Sequence, residues 1–238
     1  MTGVSETAPG LHAGLVDRLG ALVVSGDLGA GQVLSAEELG ARFGVSRTVV
    51  REAVRVLESM GMVQSRRRVG VTVAPRERWN VHDPRIVRWR LDGPDRDAQL
   101  RSLSELRHGI EPVAAALAAR RATPAQCGEL TGAVMEMAVH GRAGDLDAYL
   151  VADVRFHAVL LAASGNEMIA ALDATVAEVL AGRTRHHLMP PVPEPAAIRL
   201  HGDVAEAVRA GDAAAAETAM RAILDEAAAA MRPVTDPG

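Results

Sequence analysis

The stretch "LSAEELGARFGVSRTVVREAVRVLESMGMVQSRRRVGVTVAP", residues 34 to 75, constrains the fold more than any other part of the chain. Ser35 stands three residues before Glu38, the reciprocal pair that caps a helix start. That helix runs to about Phe43, and Gly44 supplies the tight turn after it. Ser46 then caps a further helix from Arg47 to about Met60. On it Val50, Val54 and Leu57 make an apolar stripe, with Ala53 beside them. Gly61 ends the helix. "MVQSRRRVGVTVAP" alternates into two short strands around a basic turn from Arg66 to Gly70. Upstream, Leu11, Leu15, Leu19 and Leu22 recur at helical spacing, and Gly26 and Gly29 stop that helix. Helix, helix, turn, helix, hairpin is the order of a winged helix-turn-helix.

Charge agrees with a nucleic-acid surface confined to this region. The whole chain of 238 residues carries a formal net charge of −4. Between Arg42 and Arg68 there are seven arginines (42, 47, 51, 55, 66, 67, 68) and two glutamates (52, 58), a local balance of +5. Arg47, Arg51 and Arg55 fall at four-residue steps on a face away from the apolar stripe. The start of a second helix-turn-helix helix meets base edges, and an arginine fork matches guanine O6 and N7. Arg47 is thus the expected base contact, with Ser46 or Thr48 beside it and Arg51 one turn on. Arg42 and Arg55 suit phosphates, which position and do not specify. Arg66, Arg67 and Arg68 belong to the wing, where Gly70 permits a sharp turn and close approach to the DNA backbone. The alternative is a basic, solvated helical surface with no DNA role.

The rest of the chain reads as helix. "APRERWNVHDP", residues 74 to 84, is polar and bounded by prolines, as a linker would be. "PRIVRWRLDG" follows as a short helix, and residues 97 to 121 as a long one that Pro112 interrupts or kinks. Thr123 caps the next helix, with Pro124 at its first position. "DLDAYLVADVRFHAVLLAASG" and "NEMIAALDATVAEVLAGRTRHHL" follow, then the break "PPVPEP". A closing antiparallel pair turns at Gly211 and Asp212. The expected fold class is mainly α: a winged helix-turn-helix over 11–75, a linker over 76–84, and an all-helical bundle of six or seven helices over 85–232. Abundant alanine and only 2% aromatic residues fit close helix packing.

The single cysteine, Cys127, excludes an internal disulfide and suits a reducing compartment. "MTGVSETAPG" lacks the basic head and apolar run of a signal peptide. No stretch reaches the roughly 18 apolar residues of a membrane helix. A cytoplasmic location with no membrane partner is therefore expected.

Asp153 and His157 in "DVRFH" are four apart and share one helix face, the spacing of two ligands to one metal. His201 lies on a later helix that can fold back onto them. A carboxylate with imidazoles suits Zn, Mn, Ni or Fe. The same spacing also suits a hydrogen-bonded pair. Arg107 in "SELRHGIEP" offers a fork for a carboxylate ligand, or a salt bridge with Glu105 or Glu111. A metal-dependent hydrolase built on Asp153, His157 and His201 is the rival reading, but no nucleophile or general base accompanies them and the basic hairpin has no part in it. The expectation is no enzymatic activity.

Residues 34 to 75 resemble the winged helix-turn-helix of the GntR superfamily of bacterial transcription regulators. The helical remainder resembles the FadR-type effector domain, the FCD domain, and the likeness runs over about residues 11 to 230. It departs at Ser35, where the family usually has proline. The resemblance implies a homodimer on a palindromic double-stranded operator, acting as a repressor governed by a small organic acid. It matches Asp153, His157 and His201 to metal ligands and puts Arg107 among effector-binding residues with those three. The family's usual fourth ligand, a histidine in the last helix, is replaced here by Ile223, with Met220 in register. Trp79, Asp83-Pro84 and Trp89 resemble the branch that includes galactonate- and other sugar-acid-responsive repressors, which implies an effector of the galactonate or gluconate type.

Overall fold

Ser35 and Glu38 form their capping box: the Glu38 amide donates to the Ser35 hydroxyl at 3.0 Å, and the Ser35 amide donates to the Glu38 carboxylate at 3.2 Å. They start α2 (Ala36–Phe43), which Gly44 closes in the left-handed conformation, φ 66°. Ser46 accepts from the Val49 amide at 3.3 Å and starts α3 (Arg47–Ser59). The remaining elements of this region are α1 (Pro9–Ser25), β1 (Val33–Leu34), β2 (Val63–Arg66) and β3 (Gly70–Val73). The strands form one antiparallel sheet in the order β1-β3-β2, with Leu34 opposite Val71 and Arg66 opposite Gly70. The computed structural model describes residues 9–66, 68–186, 188 and 195–230.

Contacts divide the chain into two units, between Arg96 and Asp97. The core of the first is made by the apolar faces of α1 and α3: Leu15, Val16, Leu19 and Val23 meet Val50, Ala53, Val54 and Leu57, all buried. Met62, Val63 and Val71 extend it to the sheet. These are the positions that helical and alternating periodicity single out.

The segment from 76 onward is tied to this unit. The Trp79 indole donates to the Ala74 carbonyl at 3.2 Å, and the Asn80 amide to the Met60 carbonyl at 2.8 Å. Asp83 caps α4 (Pro84–Asp92), with Pro84 in its first turn. α4 packs on α1, where the Trp89 indole and Arg88 Nη2 both reach Asp17 Oδ1 at 3.1 Å. Gly20 makes room for the ring, since a Cβ there would lie 2.3 Å from it. The contacts of α4 with α1 group it with the first unit. The tryptophan that pins α4 was visible, but not the glycine that receives it.

Among the described residues, seven helices make up the second unit: α5 (Arg96–Arg121), α6 (Pro124–Ala143), α7 (Leu146–Ala163), α8 (Glu167–Ala170), α9 (Asp173–Arg185), α10 (Pro195–Ala210) and α11 (Ala213–Ala230). No strand occurs in it among the described residues. α5 continues through Pro112, which is buried inside it. Thr123 and Gln126 form a second capping box at α6, and Asn166 caps α8. The stretch after Gly165, read as one helix, divides into α8 and α9. α7 packs against α6 and α9, and α10 against α6 and α11. The core between them is alanine-rich, with Ala115, Ala118, Ala133, Ala152 and Ala205 among Leu130, Met137, Phe156 and Leu160. Small side chains let the helix axes approach closely. The break "PPVPEP" lies, except for Pro195, outside the described residues, as does His187.

Candidate functional site

The exposed face of α3 carries Arg47, Thr48, Arg51 and Arg55 away from the core. Arg47 Nη2 meets Glu37 Oε2 at 3.2 Å, with both side chains more than two-thirds exposed. Arg55 Nη1 meets Glu52 at 2.6 Å. Exposed pairs of this kind contribute little and exchange readily for another anion. Ser46 spends its hydroxyl on the α3 cap and stays exposed at the helix entrance. Arg42 is also exposed and lies over the Phe43 ring at 5.5 Å, beside Arg18 at 4.7 Å on the same ring. Arg66 and Arg68 are exposed at the hairpin, and Arg67 lies outside the described residues.

The left-handed residue of the wing is Arg68, φ 67°. Gly70, φ 114°, is needed where β3 passes β1, since a Cβ there would stand 2.8 Å from the Leu34 carbonyl oxygen. Its missing side chain is therefore explained within the sheet.

The second unit holds a buried polar cluster. α7 presents Asp153 and His157 on one face, as their spacing requires, and α10 brings His201 to them. All three are buried, and one ligand atom from each lies within 4.8 Å of the others. His157 Nε2 stands 3.4 Å from Asp153 Oδ1, and His201 Nε2 stands 3.3 Å from the same oxygen. Neither contact has hydrogen-bond geometry: Asp153 Oδ1 and His201 Nε2 have no hydrogen-bond partner among the described residues. Burial alone would raise the Asp153 pKa, but the two imidazoles hold it well below the ordinary carboxylate range.

The outer faces of both rings meet oxygen acceptors. His201 Nδ1 lies 2.7 Å from the Ala197 carbonyl, which can only accept, so Nδ1 is the donor and Nε2 is the atom turned toward Asp153. His157 Nδ1 stands 2.7 Å from Glu111 Oε2, close but out of line for a full hydrogen bond. Burial would raise the Glu111 pKa, yet Arg107 and His157 bring it down to about 2. Two imidazoles and an ionised carboxylate, with Asp153 Oδ1 and His201 Nε2 unsatisfied among the described residues, fit a divalent cation, and the N and O donors suit the Zn, Mn, Ni or Fe class. Ile223 is buried in the core with Met220, and an alkyl chain adds no ligand.

Arg107 is buried too, but it is already engaged. Its Nε donates to Glu111 Oε1 at 2.5 Å and its Nη2 to Oε2 at 3.2 Å, the salt bridge that sequence left open beside a ligand role. Arg155 points away to Glu136 at 3.0 Å. Three members of the neighbourhood escaped the sequence reading. Glu111 was visible only as a possible partner of Arg107. Tyr149, buried, lies one turn before Asp153, and burial with the Asp153 charge raises its pKa strongly. Arg183 continues the buried stripe Val176, Val179 and Leu180 of α9, and that position was the available signal.

An exposed basic helix-turn-helix with a wing, joined to a helical domain with an oriented buried polar cluster, defines a DNA-binding transcription regulator that responds to a small ligand. Residues 11–73 match the gntR family of bacterial regulatory proteins, and residues 102–226 match the FCD domain. The chain belongs to the GntR family of regulators with an FCD effector domain. It is 29% identical over 223 residues to the galactonate operon transcriptional repressor of Escherichia coli, covering 93% of this chain and 96% of that one. It is 34% identical over 226 residues to a putative L-lactate dehydrogenase operon regulatory protein of the same organism, covering 88% and 82%. Among solved structures, Streptococcus agalactiae GntR superposes with a TM-score of 0.51 at 25% identity, covering 90% of this chain and 97% of that one. These matches are to transcription regulators, in line with the expected absence of an enzymatic role. No described helix is long and apolar enough to cross a membrane.

Proposed function

We propose that the chain is a homodimeric repressor that binds a palindromic operator through α3 and the wing and leaves it when a small hydroxy acid binds the second domain. The observation that carries the effector half is the buried Asp153–His157–His201 cluster, in which Asp153 Oδ1 and His201 Nε2 lack hydrogen-bond partners among the described residues. A native interior does not usually leave such atoms unsatisfied, and a ligand oxygen with a cation would satisfy them together. A divalent cation held by Asp153, His157 and His201 would give carboxylate and hydroxyl oxygens a Lewis-acidic partner. The named relatives are a galactonate operon transcriptional repressor and a putative L-lactate dehydrogenase operon regulatory protein, and galactonate and L-lactate both carry a hydroxyl next to the carboxylate. That shared group supports the sugar-acid reading, with galactonate or gluconate as the expected effector. Another carboxylic acid is the second reading, favoured by the lactate-operon relative.

The DNA half rests on the exposed arginines of α3 and on symmetry. One short helix reads only a few base pairs, so a two-fold dimer doubles the site. Arg47 is assigned to a base edge, with Ser46, Thr48 and Arg51 at its sides. Arg42, Arg55, Arg66 and Arg68 are assigned to the phosphates. Footprinting beside the protein's own gene, with sedimentation of the free protein, tests the arrangement. A dimer protecting two half-sites related by a two-fold axis, and released by galactonate, gluconate or L-lactate, supports it. A monomer protecting one unrepeated site contradicts it.

A further inference from the structure

Among the charged side chains of the buried cluster, Arg183 stands apart. The neighbourhood contains two guanidiniums, Arg107 and Arg183, and two fully buried carboxylates, Glu111 and Asp153. Glu111 holds Arg107 through both oxygens and also faces His157. Asp153 faces the two imidazoles. Arg183 is only 8% exposed, and its Nε has no hydrogen-bond partner among the described residues. Asp153 and the half-buried Glu226 lie within electrostatic reach, along with Tyr149, but none pairs with it. Burial, and then the like charge of Arg107, push its pKa down, as expected of a cation deprived of water without full compensation.

Such a group costs stability unless something anionic completes it. A protein can tolerate that cost where a ligand supplies the missing charge.

We propose that Arg183 is the residue that receives the effector's carboxylate, and that Arg107 is a positioning residue that fixes Glu111 against His157. This rests on the small-acid reading above and narrows it: the acid's carboxylate points toward α9, and its hydroxyls toward Asp153, His157 and His201. A guanidinium fork with an unspent Nε can take a carboxylate by paired hydrogen bonds. Tyr149, one turn from Asp153, offers a neutral phenol that can donate to the same ligand. Arg107 is less available, because Glu111 already occupies its Nε–Nη2 edge.

The test uses the full-length protein loaded with Zn2+, the variants Arg183→Met and Arg183→Lys, and a probe panel of D-galactonate, D-gluconate, L-lactate and citrate. Methionine keeps an apolar stem without the charge, so the ligand-free Arg183→Met protein should melt at or above the wild-type midpoint with unchanged Zn2+ affinity. Its affinity for the acid that binds wild type should fall on the order of 10- to 100-fold, the loss expected for a charge-assisted pair. Arg183→Lys should lie between. An Arg183→Met protein that binds the acid as wild type does overturns the assignment alone. So does one that loses ligand-free stability and Zn2+ affinity together, which would make Arg183 a structural residue. Wild type that binds specific DNA but none of the four acids overturns the effector class and this assignment with it.

Discussion

At the scale of single residues, the two sites use charge in opposite ways. On α3 the arginines are exposed and weakly paired, free to exchange a glutamate for DNA. In the second unit Arg107 is buried and committed to Glu111. Arg47→Ala should weaken operator binding by about 1–3 kcal/mol and relax specificity at one base position, read by a binding titration over single-base operator variants. Arg55→Ala should instead weaken all sequences alike and reduce the salt slope by about 1. A uniform loss with Arg47→Ala would reassign it to phosphate. Glu111→Gln removes the charge that orients His157 and should lower Zn2+ affinity on the order of 10- to 100-fold, measured against a chromophoric chelator. Unchanged affinity would leave the pair a purely structural one. Asp153 and His157 were legible because four-residue spacing fixes a shared face, and His201 joined them through the family resemblance. Arg183 was missed, although its place on the Val176, Val179 and Leu180 stripe was a signal, because a lone arginine ordinarily reads as solvated.

At the scale of elements, capping chemistry carried most of the information. Ser35, Glu38, Gly44 and Ser46 located α2 and α3 to within a residue, since each satisfies or turns backbone at a helix end. Where an end lacks such a signal, sequence misleads. The break between α8 and α9 falls at Ala171 and Leu172, both compatible with helix, and Leu172 offers no side-chain cap. α4 packs on α1, a partner that proline boundaries and linker-like composition do not specify, because packing decides it. The Gly20–Trp89 contact states that packing in testable form. Gly20→Ala puts a methyl into the indole ring, and overpacking of this sort costs about 1–3 kcal/mol. The thermal midpoint of the full-length protein should fall, while Gly14→Ala, with open space around the added Cβ, should leave it the same or higher. Equal behaviour of the two variants would mean that α4 does not sit on α1 as described.

At the scale of the whole molecule, a chain of net charge −4 that binds DNA must keep its basic surface local. Operator affinity should therefore fall with salt at a slope set by the few arginines of α3 and the wing, about 0.9 per phosphate neutralised. Joining that surface to a ligand site makes the protein a regulator only if ligand and DNA favour different states. Linkage gives this a strict form: an acid that weakens operator binding by some factor must itself bind that much more weakly to the operator complex. The most direct measurement is therefore a pair of titrations at one fixed salt concentration, operator binding with and without saturating D-galactonate, and D-galactonate binding with and without saturating operator. Reciprocal weakening by the same factor, on the order of 5- to 150-fold, is expected. Specific operator binding that no small hydroxy acid alters, in either direction, would contradict it.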